Sequence, residues 1–219
     1  MNNFFPSTGI LPCNKPPQKT SFSLVAALRK KTGVKKIGHA GTLDPFASGV
    51  MILLIGREFT RQADQFLMQD KEYEATVQLG TQTTTYDPEG EVVFQTDLVP
   101  TLCQIEAALT HFQGEILQTP PMFSAKKIGG KKLYKLARKG IEIERPKVIV
   151  KLQITLLSYA YPLLKLHITC SKGTYIRALA HDIGAHLGTG AHLQALIRLR
   201  SGPYTLKDCI DGNLLYNDT

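Results

Sequence analysis

The sequence predicts an α+β fold with a mixed, mostly antiparallel central sheet flanked by helices. Alternating apolar and polar residues, the pattern of half-buried strands, occur at 72–79, 148–158 and 163–170, and a turn around Pro162 joins the last two into a hairpin. Helical segments separate these strands without the regular strand–helix–strand alternation of a parallel sheet. We therefore expect one compact domain over residues 1–219, with an excursion at about 124–147.

The first predicted element is a helix over Thr20–Lys31, where Ser21 or Ser23 can cap the start and Gly33 can end it. The segment Ala191–Arg200 fits a strand or a helix equally well. The other elements, in chain order, are a strand at 50–55, a helix at 57–67, strands at 72–79 and 92–94 with a turn at 87–90 between them, a helix at 100–112, the hairpin at 148–170 and a helix at 174–187.

The composition is that of a soluble globular protein, with 43% hydrophobic and 20% charged residues. Val50–Ile55 is the longest apolar run and is far shorter than the roughly 20 residues of a membrane-spanning helix. The N-terminus lacks the features of a secretory signal. Four cysteines lie far apart without a C-x-x-C pair, which argues against a disulfide framework. We expect a cytoplasmic monomer.

Positive charge is concentrated in two segments of a chain whose net charge is +8. Ser124–Lys151 contains ten basic residues and two acids, and Asn14–Lys36 contains seven basic residues and no acid. Between Glu58 and Glu115 the sign reverses, with eleven acids against two bases. Such an uneven distribution favours a polyanionic partner, most often nucleic acid. The alternative is that the lysines of Ser124–Lys151 solvate a surface helix.

Two features of this basic run favour the nucleic-acid interpretation. Gly129, Gly130 and Gly140 interrupt it, so it resembles a loop with a short helix more than one solvated helical face. Tyr134 lies among the lysines, where an aromatic ring can stack on a base or ribose. An anionic membrane is a weaker candidate because no strongly apolar face accompanies the positive charge.

The segment GHAGTLDPFASG, Gly38–Gly49, predicts a tightly specified loop because it combines three glycines with an Asp-Pro pair. Asp44 in its middle fits either an ordinary Asx-turn or an ionised carboxylate presented to a substrate. His39 fits a turn histidine bonded to backbone as well as a functional residue. Local pattern does not separate these alternatives.

A second segment, CSKGTYIRALAHDIG at 170–184, predicts a strand that turns at Gly173 into a helix. Arg177 falls in the first helical turn, where the helix dipole disfavours a cation. Pairing with a carboxylate or phosphate would explain its position, although a plain surface arginine is equally compatible.

Neither a metal site nor a cofactor is expected. His181 and His186 are five residues apart on a predicted helix and so face different directions, and His192 lies beyond that helix. Histidine and glycine motifs typical of zinc proteases, Walker loops, dinucleotide sites and serine hydrolases are absent from the sequence.

Five segments then occur in one order and at one spacing: GHAGTLDPFASGV, KEYEA, TPPMFSAKKIGGKKLYKLARKG, CSKGTYIRALAHDIG and LIRLRSGPY. With them the chain closely resembles the bacterial TruB family of tRNA pseudouridine synthases from about Gly9 to Thr205. The resemblance implies the pseudouridine synthase fold with a basic thumb insertion at about 124–147. It also implies a cofactor-free isomerase that converts uridine 55 in the T-loop of tRNA to pseudouridine.

The resemblance also implies roles for individual residues. Asp44 matches the catalytic aspartate, Tyr73 a tyrosine that stacks on the target base, and Arg177 an arginine that pairs with the aspartate. The implied substrate-binding residues are His39, which stacks within the opened T-loop, Lys15 of a Lys-Pro motif, Leu199 of the pocket wall, and the thumb residues Lys131, Lys132, Tyr134 and Arg138. The implied partner is the T-stem-loop of tRNA.

The chemistry is compatible with this assignment. The enzyme must break the C1′–N1 bond, rotate uracil and rejoin it through C5, and one carboxylate suffices because the leaving uracil is a stabilised anion. Asp44 could attack C1′ or remove the C2′ proton, and the C5 proton could go to Tyr73 or to water. Flipping the uridine out of its stack costs a few kcal/mol, which stacking on Tyr73 would offset.

The chain departs from the family pattern in two places. The usual D-K-P-x-G near the N-terminus reads NKPPQ here, with Asn14 in place of the acid and Gln18 in place of the glycine. Many relatives continue into a C-terminal PUA domain, whereas about a dozen residues follow Leu206, so we expect no PUA domain here.

Two other functions remain open at the level of sequence. One is an RNA chaperone that opens and refolds the tRNA elbow, with chemistry secondary or absent. The other is a general basic domain that binds nucleic-acid backbone without site selectivity.

Overall fold

A computed structural model describes residues 5–216 of the chain, which form two compact units. Unit 1 comprises the residues up to Glu74 and from Leu196 onward, and unit 2 comprises Ala75–Ala195. In chain order the elements are β1 (Gly9–Lys15), α1 (Ser21–Thr32), β2 (Ile37–Ala40), β3 (Ser48–Ile55), α2 (Arg57–Thr60), α3 (Ala63–Leu67), β4 (Lys71–Leu79), β5 (Thr81–Thr83), β6 (Val92–Gln95), α4 (Leu102–His111), β7 (Gly114–Gln118), β8 (Lys127–Ile128), β9 (Lys131–Lys132), α5 (Leu133–Ala137), β10 (Val148–Ala160), β11 (Leu163–Cys170), α6 (Ile176–His186), β12 (Ala191–Ser201), β13 (Tyr204–Thr205) and β14 (Ile210–Asp211).

Unit 1 is organised around β3, which is buried along nearly its whole length. β1 pairs with β3 antiparallel over seven residues, and β2 pairs with the second half of β3, also antiparallel. Two parallel pairings add chain from the C-terminal region, β14 to β1 and β12 to β3. Helix α1 packs against β2 and buries Leu24, Val25 and Leu28 on one side.

Unit 2 contains the long hairpin of β10 and β11, with an irregularity between Leu156 and Ser158 in β10. β7 pairs antiparallel with the start of β10, and two small antiparallel ribbons are formed by β5 with β6 and by β8 with β9. Helix α4 packs against β10 and α6. Its capping box, formed by Thr101 and Gln104, gives a physical reason for where it begins.

The structure confirms the predicted mixed, mostly antiparallel α+β architecture and settles Ala191–Arg200 as strand β12. Helix α1 ends at Gly33 as predicted, but its cap is Thr20, whose hydroxyl accepts a hydrogen bond from the Ser23 amide at 3.0 Å. Ser21 is instead turned inward and buried. There its hydroxyl forms hydrogen bonds with the backbone of Leu43, the residue before Asp44.

Two other predictions differ from the structure. The helix expected at 57–67 is divided into α2 and α3, because the Gln62 amide bonds the Phe59 carbonyl at 3.0 Å and this tight turn ends the regular ladder. Strand β1 was not predicted because it contains Pro12, which is rare inside sheets. The sheet accommodates this proline because β14 pairs with β1 only beyond it, at Cys13 and Asn14.

None of the helices within residues 5–216 has the length and apolar character needed to cross a membrane.

Candidate active site

Asp44 lies in the loop that connects β2 to β3, residues 41–47, which we call the Asp44 loop. Leu43 and Ala47, on either side of Asp44, are buried, and Asp44 itself is partly exposed. The Ala47 amide donates to the Asp44 carbonyl at 3.2 Å and closes a turn. The loop is therefore anchored by its buried apolar residues, while Asp44 between them stays partly accessible.

Ser21, the first residue of α1, holds the loop on the N-terminal side of Asp44. Its hydroxyl accepts from the Leu43 amide and donates to the Leu43 carbonyl, both at 2.9 Å. One side chain thus satisfies both backbone groups of the residue before Asp44, away from water. This contact ties the loop to α1.

Lys15 and Gln18 hold the loop on the other side. The Lys15 ammonium is fully buried and donates to the carbonyls of Pro16, Lys19 and Pro45, the last at 3.1 Å. The Gln18 amide donates to the same Pro45 carbonyl at 2.8 Å. Lys15 therefore contacts the backbone directly after Asp44, and its role in substrate binding stays a prediction.

Gln18 has a φ of 62°, in the left-handed region that favours glycine. The family that the sequence resembles usually has glycine at this position. We expect Gln18→Gly to stabilise the protein by about 1 kcal/mol, because glycine adopts this conformation without steric strain. Gln18→Ala is the matched control, since alanine keeps the strain. Chemical denaturation of both variants tests this, and equal stability of the two would contradict it.

His39 lies on β2 and is partly buried. Burial lowers the pKa of His39, and the nearby positive charge of Arg198 lowers it further. The lowered pKa favours the neutral imidazole, a state compatible with stacking on a base. Among the described residues its buried Nδ1 has no hydrogen-bond partner. The predicted stacking within an opened T-loop is untested.

Tyr73 and Leu199 occupy two strands that contribute to unit 1. Tyr73 lies on the buried face of β4 with 7% of its surface exposed, and Leu199 is a partly buried residue of β12. Arg200, next to Leu199, pairs with Asp70 and Glu72 at 2.8 Å each. These partly exposed ion pairs join β12 to Glu72 of β4 and to Asp70 just before that strand. The assigned roles of Tyr73 and Leu199 stay predictions.

Arg177 of unit 2 lies in the first turn of α6 and is 5% exposed. Its guanidinium pairs with the Asp87 carboxylate at 3.1 Å and donates to the carbonyls of Thr85 and Phe123, at 2.9 and 2.7 Å. The carboxylate partner explains a cation at a helix N-terminus, as the sequence suggested. The pairing with Asp44 that the resemblance implies stays a prediction.

Asp87, the partner of Arg177, was predicted from the sequence only as part of a turn. It is 4% exposed, and one carboxylate oxygen accepts from the Thr85 hydroxyl at 2.5 Å and from the Glu89 amide at 3.0 Å. The other oxygen faces Arg177. Asp87 is thus oriented by its own turn, and it positions the guanidinium of Arg177.

The residues predicted to contact RNA from the thumb, 124–147, form a compact group in unit 2. The Lys132 ammonium and the Arg138 guanidinium lie 5.7 and 5.5 Å from the centre of the Tyr134 ring. Lys131 is exposed on β9 beside them. Leu133 is fully buried and its amide bonds the Lys126 carbonyl at 2.9 Å, so one apolar anchor holds the group.

An open cleft of about 590 Å³ lies between the thumb and the turn that carries Asp87. Its lining includes Thr85 and Phe123, whose carbonyls hold Arg177, and Arg145 and Glu142 of the thumb. Arg145 pairs with Glu142 at 3.0 Å and donates to the Pro120 carbonyl at 3.2 Å. The thumb and the support of Arg177 therefore border one space within unit 2.

The histidines considered for metal binding have separate contacts. His181 stacks on Tyr86 with ring centres 4.0 Å apart, His186 stacks on His111 at 4.8 Å, and the His192 ring lies 2.8 Å from the Thr81 carbonyl. Within residues 5–216 no group of three or more His, Cys, Asp or Glu side chains is arranged to hold a metal ion.

The chain matches two protein-family models and named relatives along most of its length. Residues 29–176 match the family model for the TruB family pseudouridylate synthase N-terminal domain. Residues 177–217 match the model for the tRNA pseudouridylate synthase B C-terminal domain. The tRNA pseudouridine synthase B of Protochlamydia amoebophila is 58% identical over 211 residues, covering 96% of this chain and 80% of the relative. That of Chlamydia pneumoniae is 58% identical over 207 residues, covering 94% and 88%.

Solved structures show the same similarity. A chain of the archaeal box H/ACA sRNP Nop10–Cbf5 complex superposes with a TM-score of 0.70 at 28% identity, over 97% of this chain and 56% of that one. A chain of a Cbf5–Nop10–Gar1 complex gives a TM-score of 0.69 at 32% identity, over 91% and 50%. The present chain spans about half the length of these solved chains.

Proposed function

The chain belongs to the TruB family of pseudouridine synthases, and from this premise we propose that it converts uridine 55 in the T-loop of tRNA to pseudouridine. The named relatives support the general activity, tRNA pseudouridine synthesis, which is an isomerisation. The observation that carries the proposal is the Asp44 loop, in which Ser21, Lys15 and Gln18 fix the backbone on both sides of one partly exposed aspartate.

In the proposed reaction the C1′–N1 bond breaks and the uracil leaves with the bonding electron pair. The ring rotates, C5 forms a bond to C1′, the C5 proton is removed and N1 takes up a proton. Atoms and charge balance without an oxidant, a reductant or a transferred group. Asp44 acts either by attacking C1′ or by removing the C2′ proton, and each route needs an ionised carboxylate held at a defined position.

Arg177 is proposed to keep Asp44 ionised, because a nearby positive charge favours the charged form of a carboxylate. Asp87 and the carbonyls of Thr85 and Phe123 hold the Arg177 guanidinium, so its position does not depend on the substrate. Tyr73 is proposed to stack on the flipped uracil, which offsets part of the few kcal/mol needed to unstack it. Leu199 is proposed to help exclude water that would capture the sugar.

His39 and the thumb are proposed to bind the T-stem-loop. A neutral His39 can stack within an opened loop, and the group of Lys131, Lys132, Tyr134 and Arg138 combines positive charge with an aromatic face. Phosphate contacts of this kind give affinity without sequence selectivity. We therefore assign selectivity to the Asp44 loop and its surroundings.

The test is release of tritium from a tRNA transcript labelled at uracil C5, assayed in EDTA without added cofactor, with the modified position mapped. We expect one equivalent of tritium per tRNA, released from uridine 55 only. Release from another uridine would show that uridine 55 is not the target, while still supporting pseudouridine synthesis. If no tritium is released from tRNA that binds and refolds, the RNA chaperone replaces the enzyme as the proposed function.

Binding through the thumb predicts a defined salt dependence. Replacing Lys131, Lys132 and Lys135 by Ala is expected to weaken tRNA binding and to reduce the slope of log Kd against log salt by about two, at roughly 0.7–0.9 per phosphate contact. Fluorescence anisotropy over a range of salt concentrations measures this slope.

The control is a second triple variant, Lys151, Lys165 and Lys207 to Ala, which removes the same charge from exposed positions outside the thumb. Its slope is expected to change by less than half as much. Equal slopes for the two variants would show that the thumb lysines act only through net charge.

A further inference from the structure

The structure places a fully buried arginine behind the Asp44 loop. Arg198 of β12 is 1% exposed, and its Nε donates to the Val50 carbonyl at 2.6 Å while its Nη2 donates to the Gly41 carbonyl at 3.2 Å. Gly41 is the first residue of the loop, and Val50 lies just beyond its end in β3. One rigid guanidinium therefore joins the two ends of the segment that carries Asp44.

The backbone of β12 also packs closely against the start of β3, the strand that follows the loop. Arg198 pairs in parallel with Gly49, and a Cβ atom added to Gly49 would overlap the Arg198 backbone. Gly49 has a φ of 108°, which other residues rarely adopt. This close contact leaves the end of the loop little freedom to move away from the guanidinium.

The charge of Arg198 is unusual for such a buried position. Within residues 5–216 it has no carboxylate partner, and its hydrogen bonds go to backbone carbonyls and to the sulfur of Met51. A well-packed apolar side chain at a buried ionic position is often as stabilising as the charged group, or more so. Stability alone therefore does not account for an arginine here. The ability of a planar guanidinium to donate to two carbonyls at once does account for it.

We infer that Arg198 is a positioning residue that holds the Asp44 loop in its reactive geometry and supplies a fixed positive charge beneath it. It cannot touch RNA, because it is buried, and it acts through the Gly41 and Val50 carbonyls. Lys15 and Ser21 fix the residues beside Asp44, whereas Arg198 fixes the span between the two strands. The inference rests on the proposed function only where enzymatic rate is the measurement.

The same charge acts on His39 of β2, where it adds to burial in lowering the imidazole pKa. The His39 pKa therefore reports the charge at position 198. A loss of packing alone would not change this pKa in the same way. Removing the charge should raise the pKa of His39, while a lysine at position 198 should keep it low. Neither result depends on catalysis.

The experiment compares Arg198→Gln and Arg198→Lys with Arg200→Gln. The control lies two residues along the same strand, and its ion pairs to Asp70 and Glu72 are on the surface side. We expect Arg198→Gln to lower the single-turnover rate about 100-fold, because a displacement of about 1 Å can have such an effect. Its Kd for tRNA should stay within about twofold, and amide exchange of Leu43 and Ala47 should accelerate about tenfold.

Arg198→Lys should show an intermediate rate and a His39 pKa as low as that of the wild type, measured by NMR with His39→Asn to assign the signal. Arg200→Gln should keep the rate within about threefold. The inference is overturned if Arg198→Gln folds and keeps the wild-type rate and loop protection, if Arg200→Gln has the same effects, or if neither Arg198 variant folds. A wild-type chain that releases no tritium would sink the proposed function instead, and exchange and titration would still decide the role of Arg198.

Discussion

Asp44→Asn is expected to lower the rate of pseudouridine formation by at least about 10³-fold while changing tRNA affinity less than about threefold. Asparagine has nearly the same shape, and the turn bond at this position uses the backbone carbonyl of Asp44, so the loop should keep its conformation. The amide can neither attack C1′ nor accept the C2′ proton. The loss therefore falls on the chemical step.

Single-turnover tritium release and filter binding on the same tRNA preparation separate the two quantities. Asp64→Asn, an exposed residue of α3 in the same unit, is the control for loss of one negative charge. Residual activity within tenfold of wild type would remove Asp44 from the mechanism. Full loss of tRNA binding would show instead that Asp44 is needed for recognition.

The largest loss of stability is expected from Asp87→Asn. The variant leaves the Arg177 guanidinium without this charged partner at a position where both side chains are about 5% exposed. Removing one partner of a buried pair typically destabilises by about 3–5 kcal/mol. Because Asp87 also orients Arg177, the rate of pseudouridine formation should fall as well, under conditions where the variant remains folded.

A matched comparison is available in Asp70→Asn. Asp70 pairs with Arg200 at 2.8 Å, a shorter contact than the 3.1 Å of the buried pair, but its side chain is 54% exposed. Exposed pairs contribute about 0–1 kcal/mol, so this variant should lose less than about 1 kcal/mol. Urea unfolding of both variants measures the difference. Equal destabilisation would show that burial does not determine the strength of these pairs.

Much of the fold follows from local pattern. The alternation of β4 and of the β10–β11 hairpin predicted strands correctly, and the apolar stripe of α6 predicted its helix. Short strands such as β2, β7 and β8 carry too few residues for alternation to be recognised, so they were not predicted. Pairing with another strand, β3 for β2, β10 for β7 and β9 for β8, determines their conformation.

The residues that support the site illustrate a different limit. The loop around Asp44 could be identified from its glycines and its Asp-Pro pair, because these constraints are local. The partnership of Asp87 with Arg177 joins positions 90 residues apart, and the contacts of Arg198 with Gly41 and Val50 span still more of the chain. A turn aspartate and a strand arginine look ordinary until the tertiary fold places them.

The parallel pairings of unit 1 have a consequence for the order in which the protein is made. Strand β1 pairs with β14 at Ile210 and Asp211, and β3 pairs with β12 at Ile197 and Arg198, so early strands require segments synthesised about 150 or more residues later. On the ribosome, the whole Asp44 loop therefore leaves the exit tunnel long before Arg198, the residue that joins the two ends of the loop, has been synthesised. A translation product truncated before Arg198 would therefore carry Asp44 without the contacts that join the two ends of its loop.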